Sequence, residues 1–261
     1  MKTTFLFFMA CIFITTWGCK KNDTNLIAGN RLVSLTVRKL SDNSVEYTRK
    51  YNYDNAGNLI VLNNANNENI YTYNYNSEGK LLTTKLVQNG AIDIKIDSFI
   101  YDLSGKIIRK TGTPILPTLE IDDHSFAYDD QGRIISNTQY FRQTSAVLGY
   151  QTFSYDVNNN VIEQKLYTIS PTGSPELQGG ISYSYDDKLN PFAKIGIPSY
   201  MTNDDVFYLS KHNVISTTAI SGPSLYLTPT SYSYTNNNLP QTATYGLPGD
   251  SNARKWEYIY N

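Results

Sequence analysis

A short aromatic motif recurs along most of this 261-residue chain and constrains its fold more than any other feature. Each copy reads aromatic, any residue, Tyr, Asp or Asn, two residues, Gly or Asn, a polar residue and two apolar residues, as in Tyr51 to Ile60. Further copies start at Tyr73, Phe99, Phe126, Phe153, Tyr183 and Tyr232, with a degenerate copy from Tyr208 to Ile215. The second tyrosines stand at 53, 75, 101, 128, 155, 185, 208 and 234, which gives intervals of 22 to 30 residues. A fixed period of this length is typical of repeat architectures.

Each copy of the motif predicts a β-hairpin. Aromatic residues at positions i and i+2 lie on the same face of a strand. The Asp or Asn that follows favours an Asx-turn, and the Gly supplies the positive φ of a type I turn closed by a G1 bulge. Where Gly is absent from this slot, Asn and His tolerate the left-handed region well. The predicted turn-slot residues are Gly57, Gly79, Gly105, Gly132, Asn159, His212 and Asn238.

The hairpins predict an all-β fold, a long antiparallel up-and-down meander of about eighteen strands, since each repeat supplies two. The 22 Tyr and 10 Phe residues suit such pleated, half-buried surfaces. A long open sheet tends to curl or close, and exposed edges invite aggregation. The first strand, Leu32 to Lys39, and the final half repeat, Trp256 to Tyr260, are therefore predicted to pair, so that the sheet is rolled or closed into a barrel-like shape.

The N-terminus has the pattern of an export signal. Lys2 precedes a short apolar run from Phe5 to Ile14, about half of the roughly 20 residues that a membrane-spanning helix needs. The following Gly18-Cys19 pair resembles the lipobox of bacterial lipoproteins, which implies that Cys19 is acylated. We expect a signal peptide at 1–18, a lipidated tether at 19–30 and a single hairpin-repeat domain at 31–261. The alternative is an ordinary secretion signal.

Two sets of repeat units resemble known families. The units Tyr53 to Leu59 and Tyr128 to Ile134 resemble the YD repeats of Rhs and teneurin shells. The segments Tyr183 to Phe192 and Tyr234 to Pro240 resemble a family of Bacteroidota lipoproteins of unknown function whose domain is described as porin-like. This resemblance implies a long antiparallel barrel-like sheet and no enzymatic role. Together with the lipobox it places the protein in the cell envelope, as an outer membrane lipoprotein that faces the periplasm or the cell surface.

Charge and motifs argue against several classes of function. The formal net charge is −1 and no Lys/Arg cluster exceeds two residues, so that nucleic acid is not expected as a partner. The sequence has no zinc-ligand spacing, no phosphate-binding Gly-rich loop and no nucleophile elbow, and we expect neither a metal nor a cofactor. His124, beside Asp122 and Asp123, is expected to be a solvated loop histidine.

Acidic pairs recur at 122–123, 129–130, 186–187 and 204–205. Two carboxylates can hydrolyse a glycoside when they face each other about 5–9.5 Å apart. Asp129 and Asp186 are, however, turn residues of the repeat, and adjacent side chains on a strand point to opposite faces. The protein is therefore not expected to be an enzyme, and a carboxylate hydrolase remains the weaker alternative.

The connections opposite the Asx-turns vary in length, with longer stretches at 112–122, 170–180 and 221–229. Repeat proteins often bind ligands on such a rim. Tyrosines outside the motif are expected to be exposed on or near it, and they are the candidate ligand-binding residues: Tyr140, Tyr150, Tyr167, Tyr200 and Tyr226. The ligand class stays open between a glycan, a protein and a small molecule. The alternatives are a structural envelope component without a discrete ligand and a lipid-spanning pore, which the polar residues between the tyrosines disfavour.

Overall fold

The computed structural model describes residues 30–66, 68–88, 92–114, 121–141, 144–195, 205–221, 229–246 and 249–261. Cys19 and the predicted signal peptide lie outside these residues. The described part contains sixteen strands in one sheet, a 3₁₀ turn at Phe192–Lys194 and a short helix, α1, at Asp205–Leu209. The strands are β1 Leu32–Lys39, β2 Val45–Tyr53, β3 Leu59–Asn64, β4 Asn69–Tyr75, β5 Leu81–Gln88, β6 Ile92–Tyr101, β7 Ile107–Pro114, β8 Ile121–Tyr128, β9 Ile134–Phe141, β10 Val147–Tyr155, β11 Val161–Ile169, β12 Pro175–Leu189, β13 His212–Ser221, β14 Pro229–Tyr234, β15 Pro240–Tyr245 and β16 Arg254–Tyr260.

The sheet is an antiparallel meander rolled into a nearly closed barrel, as the sequence predicts. Consecutive strands are neighbours from β1 to β13, and β14, β15 and β16 continue the sheet on the other side of β1. The predicted pairing of the first and last strands is confirmed, because β1 pairs with β16 from Leu32 opposite Tyr260 to Lys39 opposite Arg254. The two edges are thus β13 and β14. Side chains bridge this seam: the hydroxyl of Tyr232 donates to the carbonyl of Val214 at 2.9 Å.

The Asx-turns take the predicted conformation. At the third turn after β1, Asp102 Oδ1 accepts the N–H of Lys106 at 2.9 Å, and Gly105 N–H donates to the Asp102 carbonyl at 3.1 Å. A positive φ is confirmed for six turn-slot residues: Gly57, Gly79, Gly105, Gly132, Asn159 and Asn238. All six turns lie at the same end of the barrel, which we call the turn rim. The opposite end, with the connections 40–44, 144–146, 170–174 and 249–253, is the variable rim.

The prediction fails at the copy around Tyr208. Tyr208 lies in helix α1, and His212 is the first residue of β13 instead of a positive-φ turn residue. The described residues consequently form sixteen strands, close to the approximate count of eighteen that the sequence predicts. Asn190 holds the two ends of this segment together, because its side-chain amide donates to the carbonyl of Ser210 at 2.8 Å while its Oδ1 accepts the N–H of Phe192 at 3.0 Å.

The first aromatic residue of each motif faces the interior of the barrel and forms its core. These residues are buried: Tyr51, Tyr73, Phe99, Phe126, Phe153, Tyr183 and Tyr258. The segment between β12 and β13 folds into the interior of the barrel. Phe192 packs with ring centroids 6.2 Å from Trp256 and 6.2 Å from Tyr258, and Phe207 packs 6.2 Å from Trp256. Among the described residues, no helix is long and apolar enough to cross a membrane.

In seven repeats, counting the final half repeat, the second tyrosine links neighbouring repeats through its hydroxyl; in the copy that starts at Tyr232 the hydroxyl of Tyr234 donates to Asp186 instead. Each linking hydroxyl donates to the main-chain carbonyl of the first strand residue after the preceding turn, or of Leu32 at the start of β1. The bonds run from Tyr53 to Leu32, Tyr75 to Leu59, Tyr101 to Leu81, Tyr128 to Ile107, Tyr155 to Ile134, Tyr185 to Val161 and Tyr260 to Pro240, at 2.5–2.9 Å. These tyrosines are therefore structural, and burial makes their phenols costly to ionise.

Candidate functional site

The outer face of the barrel carries a transverse row of side chains across six strands. Strand pairing sets Arg109 opposite Ser125, Ser125 opposite Thr138, Thr138 opposite Tyr150, Tyr150 opposite Tyr167, and Tyr167 opposite Leu177. The flanking residues Lys110, Phe126 and Gly149 are buried, which places the alternate residues of the row on the outside. We call these six residues the outer tyrosine row.

Tyr150 and Tyr167 form the aromatic centre of the row. Their rings stack with centroids 4.7 Å apart and an interplanar angle of 16°. Neither hydroxyl has a hydrogen-bond partner among the described residues, in contrast to the tyrosines of the motif. Tyr140 lies two residues after Thr138 on β9, and its hydroxyl shares a 2.9 Å hydrogen bond with the hydroxyl of Ser125. The row therefore combines apolar ring surface with the hydroxyls of Tyr150 and Tyr167, which no described residue engages.

An ion pair lies beside one end of the row. Arg109 Nη2 contacts Asp123 Oδ2 at 2.8 Å, with the carboxylate nearly buried and the guanidinium about half exposed. Asp123 lies opposite Tyr140 in the pairing of β8 with β9. The outer face thus offers a half-exposed guanidinium, held in place by a buried carboxylate, on the same row as the aromatic surface.

The structure places only three of the five candidate tyrosines. Tyr140, Tyr150 and Tyr167 lie within β9, β10 and β11, half-buried on the outer face, and not on the connections themselves. Tyr200 and Tyr226 lie outside the described residues. The expected long connection at 170–180 is instead a tight turn, in which Gly173 has a φ of +86°, followed at once by β12. When residues are counted outward along both strands from the turn at Asp156, Tyr150 falls opposite Tyr167. The sequence therefore already contained the information that these two tyrosines are paired.

His124 is not a solvated loop residue, which corrects the sequence-based expectation. It belongs to β8 on the interior face, and its Nδ1 lies 2.9 Å from Asn137 Oδ1. Its ring stacks on Phe126 with centroids 6.4 Å apart. It belongs to a layer of polar interior side chains that sequence reasoning missed, because the motif describes only residues near the turns. Other members of the layer are Thr84, Asp97, Lys110 and Gln164.

The turn carboxylates are engaged by their own turns. Asp54 accepts hydrogen bonds from the side chain and the main-chain N–H of Asn58, and these bonds hold the pKa of the carboxyl below its usual value. Asp186 accepts the N–H groups of Lys188 and Asn213 and the hydroxyl of Tyr234. The side chain of Asp122 lies outside the described residues. In the part of the chain that the structure describes, no group of three His, Cys, Asp or Glu residues is arranged to hold a metal ion.

A cleft of about 440 Å³ lies where the repeat is interrupted. His212 is one wall, and its Nδ1 lies 3.2 Å from Asn160 Nδ2. Asp156 is another, but its carboxylate already accepts the N–H groups of Asn158 and Asn160. The remaining lining residues are Ile162, Tyr183, Ser184, Tyr185, Asp186 and Asp187. The hydrogen bonds of Asp156, Asp186 and Asn160 fix the conformation of this end of the barrel.

Two solved structures share this fold. A porin-like protein from Bacteroides uniformis aligns with a TM-score of 0.56 and 11% identity, over 89% of this chain and 98% of its own. A porin-like protein from Bacteroides vulgatus aligns with a TM-score of 0.52 and 15% identity, over 89% of this chain and 99% of its own. No protein-family model matches the chain, and no curated protein matches it in sequence. At these identities the likeness concerns the fold alone.

Proposed function

We propose that this protein is a non-catalytic envelope lipoprotein that binds a glycan on its outer tyrosine row. The stacked Tyr150 and Tyr167, with hydroxyls that no described residue engages, are the observation that carries the proposal. The aliphatic faces of a sugar ring pack on aromatic rings, while its hydroxyls accept and donate hydrogen bonds to polar groups beside them. Ser125, Thr138 and the half-exposed guanidinium of Arg109 supply such groups along the same row.

A glycan fits this surface better than the other ligand classes. The row lies on the convex outside of the barrel, where an extended chain molecule can lie across several strands. The balanced charge of the protein disfavours nucleic acid. The interior near the turn rim is filled by the aromatic core and the segment around Phe192, which favours a binding module over a pore. The turn carboxylates engaged by main-chain N–H groups favour a role without catalysis.

The envelope location is the second part of the proposal. It rests on the lipobox-like Gly18-Cys19 pair and on the fold shared with porin-like proteins of two Bacteroides species. Palmitate labelling of the protein expressed in a Bacteroides host tests it. We expect incorporation of the label that is lost in Cys19→Ser. Labelling that persists in this variant, or no labelling of the wild type, contradicts the anchor.

Glycan binding is tested with the chain that begins at Lys20, which retains every described strand. We expect selective binding on an array of bacterial and host glycans, and a fall in affinity of about tenfold or more in the Tyr150→Ala/Tyr167→Ala variant. The Tyr150→Phe/Tyr167→Phe variant keeps the aromatic rings, so it should lose only the part of the affinity that the hydroxyls contribute. Ile60→Ala, an exposed outer-face residue on β3, is the matched control.

Two results contradict the proposed ligand site. Equal affinity of the wild type and the alanine variant removes the outer tyrosine row as the binding surface. No binding to any glycan on the array contradicts the ligand class and favours the alternative of a structural envelope component.

A further inference from the structure

We infer that the turn rim is a membrane-docking surface, which rests on phospholipid and inserts Leu103 and Val157 between the headgroups. This inference rests on the lipid anchor of the proposed function, and it adds the orientation of the barrel on the bilayer. Three features of the described residues carry it: where the chain enters the barrel, which side chains protrude at that end, and how the charges there are used.

The described chain begins at the turn rim. Asn30 Oδ1 accepts a hydrogen bond from Asn237 Nδ2 at 3.1 Å, and Asn237 belongs to the turn between β14 and β15. The guanidinium of Arg31 lies 5.7 Å from the ring centroid of Tyr53, beside the first turn. Ten residues, 20–29, separate Cys19 from Asn30, and such a segment spans at most about 35 Å when fully extended. An acylated Cys19 therefore tethers the chain to the bilayer from the turn rim, within about 35 Å of it.

Two apolar side chains protrude from the turns at this end. Leu103 is fully exposed and Val157 is 96% exposed, each at the position directly after the turn aspartate. The equivalent positions of the other turns hold the polar residues Asn55, Ser77, Asp130 and Asn236. Turn geometry does not require an apolar residue there, because the polar ones form the same turn. Leu103 and Val157 thus expose apolar surface that contributes nothing to the fold.

A belt of aliphatic residues lies on the outer face just behind the turns. It contains the second apolar residue of six repeats, each 36–45% exposed: Ile60, Leu82, Ile108, Ile135, Ile162 and Ile215. The belt follows the rim around the barrel, since its members lie on alternate strands from β3 to β13. The position of these exposed apolar residues next to the anchored end fits the interfacial region of a bilayer.

The charges at the rim indicate which lipid surface it suits. The turn carboxylates of Asp54 and Asp102 are held ionised, because hydrogen bonds from their own turns lower the pKa of each. The cations of Lys80, Lys106 and Arg133 lie over the rings of motif tyrosines, 4.6–5.8 Å from the centroids. An anionic lipid headgroup would therefore gain little attraction from these cations and would be repelled by the turn carboxylates. We expect docking on zwitterionic phosphatidylcholine, driven by apolar contact and insensitive to salt.

The orientation is measured on the acylated protein in phosphatidylcholine vesicles. Cys11 lies in the signal peptide and Cys19 carries the lipid, so Leu103→Cys, Val157→Cys and Val45→Cys each give one labelling site. Val45 is 52% exposed on the variable rim and is the matched control. We expect an environment-sensitive fluorophore at 103 or 157 to shift to the blue and to be quenched by lipid-borne quenchers, and a fluorophore at 45 to show neither. Quenching at 45 alone, or at none of the sites, overturns the inference.

The insertion itself is measured without the anchor. We expect the chain that begins at Lys20 to bind phosphatidylcholine vesicles weakly, and the Leu103→Ser/Val157→Ser variant to lose about tenfold in partitioning. Val45→Ser should leave partitioning unchanged. Equal partitioning of the double variant and the wild type also overturns the inference. An unlabelled Cys19 in the palmitate experiment contradicts the proposed anchor instead, so that the two failures are distinguishable.

Discussion

The hydroxyl of Tyr128 donates a 2.6 Å hydrogen bond to the main-chain carbonyl of Ile107, across the boundary between two repeats. The same bond recurs from Tyr101 to Leu81 and from Tyr155 to Ile134. The motif tyrosine is therefore a connector between repeats as well as a core residue. The phenol explains why tyrosine holds the second aromatic position in the copies that make this bond, whereas the first position holds either Tyr or Phe.

Removal of this hydroxyl should destabilise the barrel. We expect Tyr128→Phe to lower the free energy of unfolding by about 1 kcal/mol, because the carbonyl of Ile107 loses its donor while the ring packing stays. Urea denaturation followed by circular dichroism measures the change. Tyr150→Phe is the control, since its hydroxyl has no partner among the described residues. If Tyr128→Phe and Tyr150→Phe change the free energy of unfolding equally, the hydrogen bond from Tyr128 to Ile107 contributes nothing to stability.

The turn glycines should resist substitution because of backbone conformation alone. Gly79 has a φ of +76°, and a Cβ there would meet no atom within 4 Å. We expect Gly79→Ala to cost about 1 kcal/mol, which is the penalty of the left-handed region for an L-residue. Gly179→Ala is the matched control, because Gly179 lacks a positive φ and its Cβ would make an ordinary 3.6 Å contact with the carbonyl of Ser221. Thermal unfolding of both variants distinguishes conformational strain from a general intolerance of glycine loss.

The segment that folds into the interior of the barrel should contribute strongly to stability. Phe192 is buried among Phe207, Trp256 and Tyr258. We expect Phe192→Ala to cost about 3 kcal/mol through lost burial and a cavity. In the chain that begins at Lys20, Trp256 is the sole tryptophan, and its emission should shift to the red in the variant. An unchanged emission maximum would contradict the packing of Phe192 on Trp256.

The barrel should unfold cooperatively in alkali. Burial is the main cause that raises the pKa of Tyr75 and of Tyr128 to about 12, with further contributions from Asp54 and Asp102 respectively. The folded state therefore keeps protons that the unfolded state, with a tyrosine pKa near 10.0, has released. Stability from these groups is complete below pH 10 and declines as the pH rises from about 10 to 12. A spectrophotometric titration of tyrosinate alongside circular dichroism should show ionisation and unfolding in the same range. Ionisation of most tyrosines before unfolding would contradict it.

The sequence by itself determined the hairpins and their turns. The residues responsible lie within a few positions of one another: the aspartate that accepts turn N–H groups, and the glycine or asparagine that takes a positive φ, as at Gly132 and Asn159. Such local interactions survive any arrangement of the rest of the chain. The pairing of β1 with β16 also followed, because a meander of this length has few other ways to protect its first and last strands.

Only the tertiary structure decided the rest. The copy of the motif at Tyr208 becomes helix α1, because burial of Phe192 and Phe207 against Trp256 outweighs the local preference for another hairpin. The open seam consequently falls between β13 and β14, and His212 starts a strand. Counting outward from the turn at Asp156 sets Tyr150 opposite Tyr167, but only the packed outer face decides that their rings stack, with centroids 4.7 Å apart. Contacts between residues that are distant in sequence form only when the sheet closes. A local motif specifies each hairpin of that sheet, but it does not specify how the hairpins pack against one another.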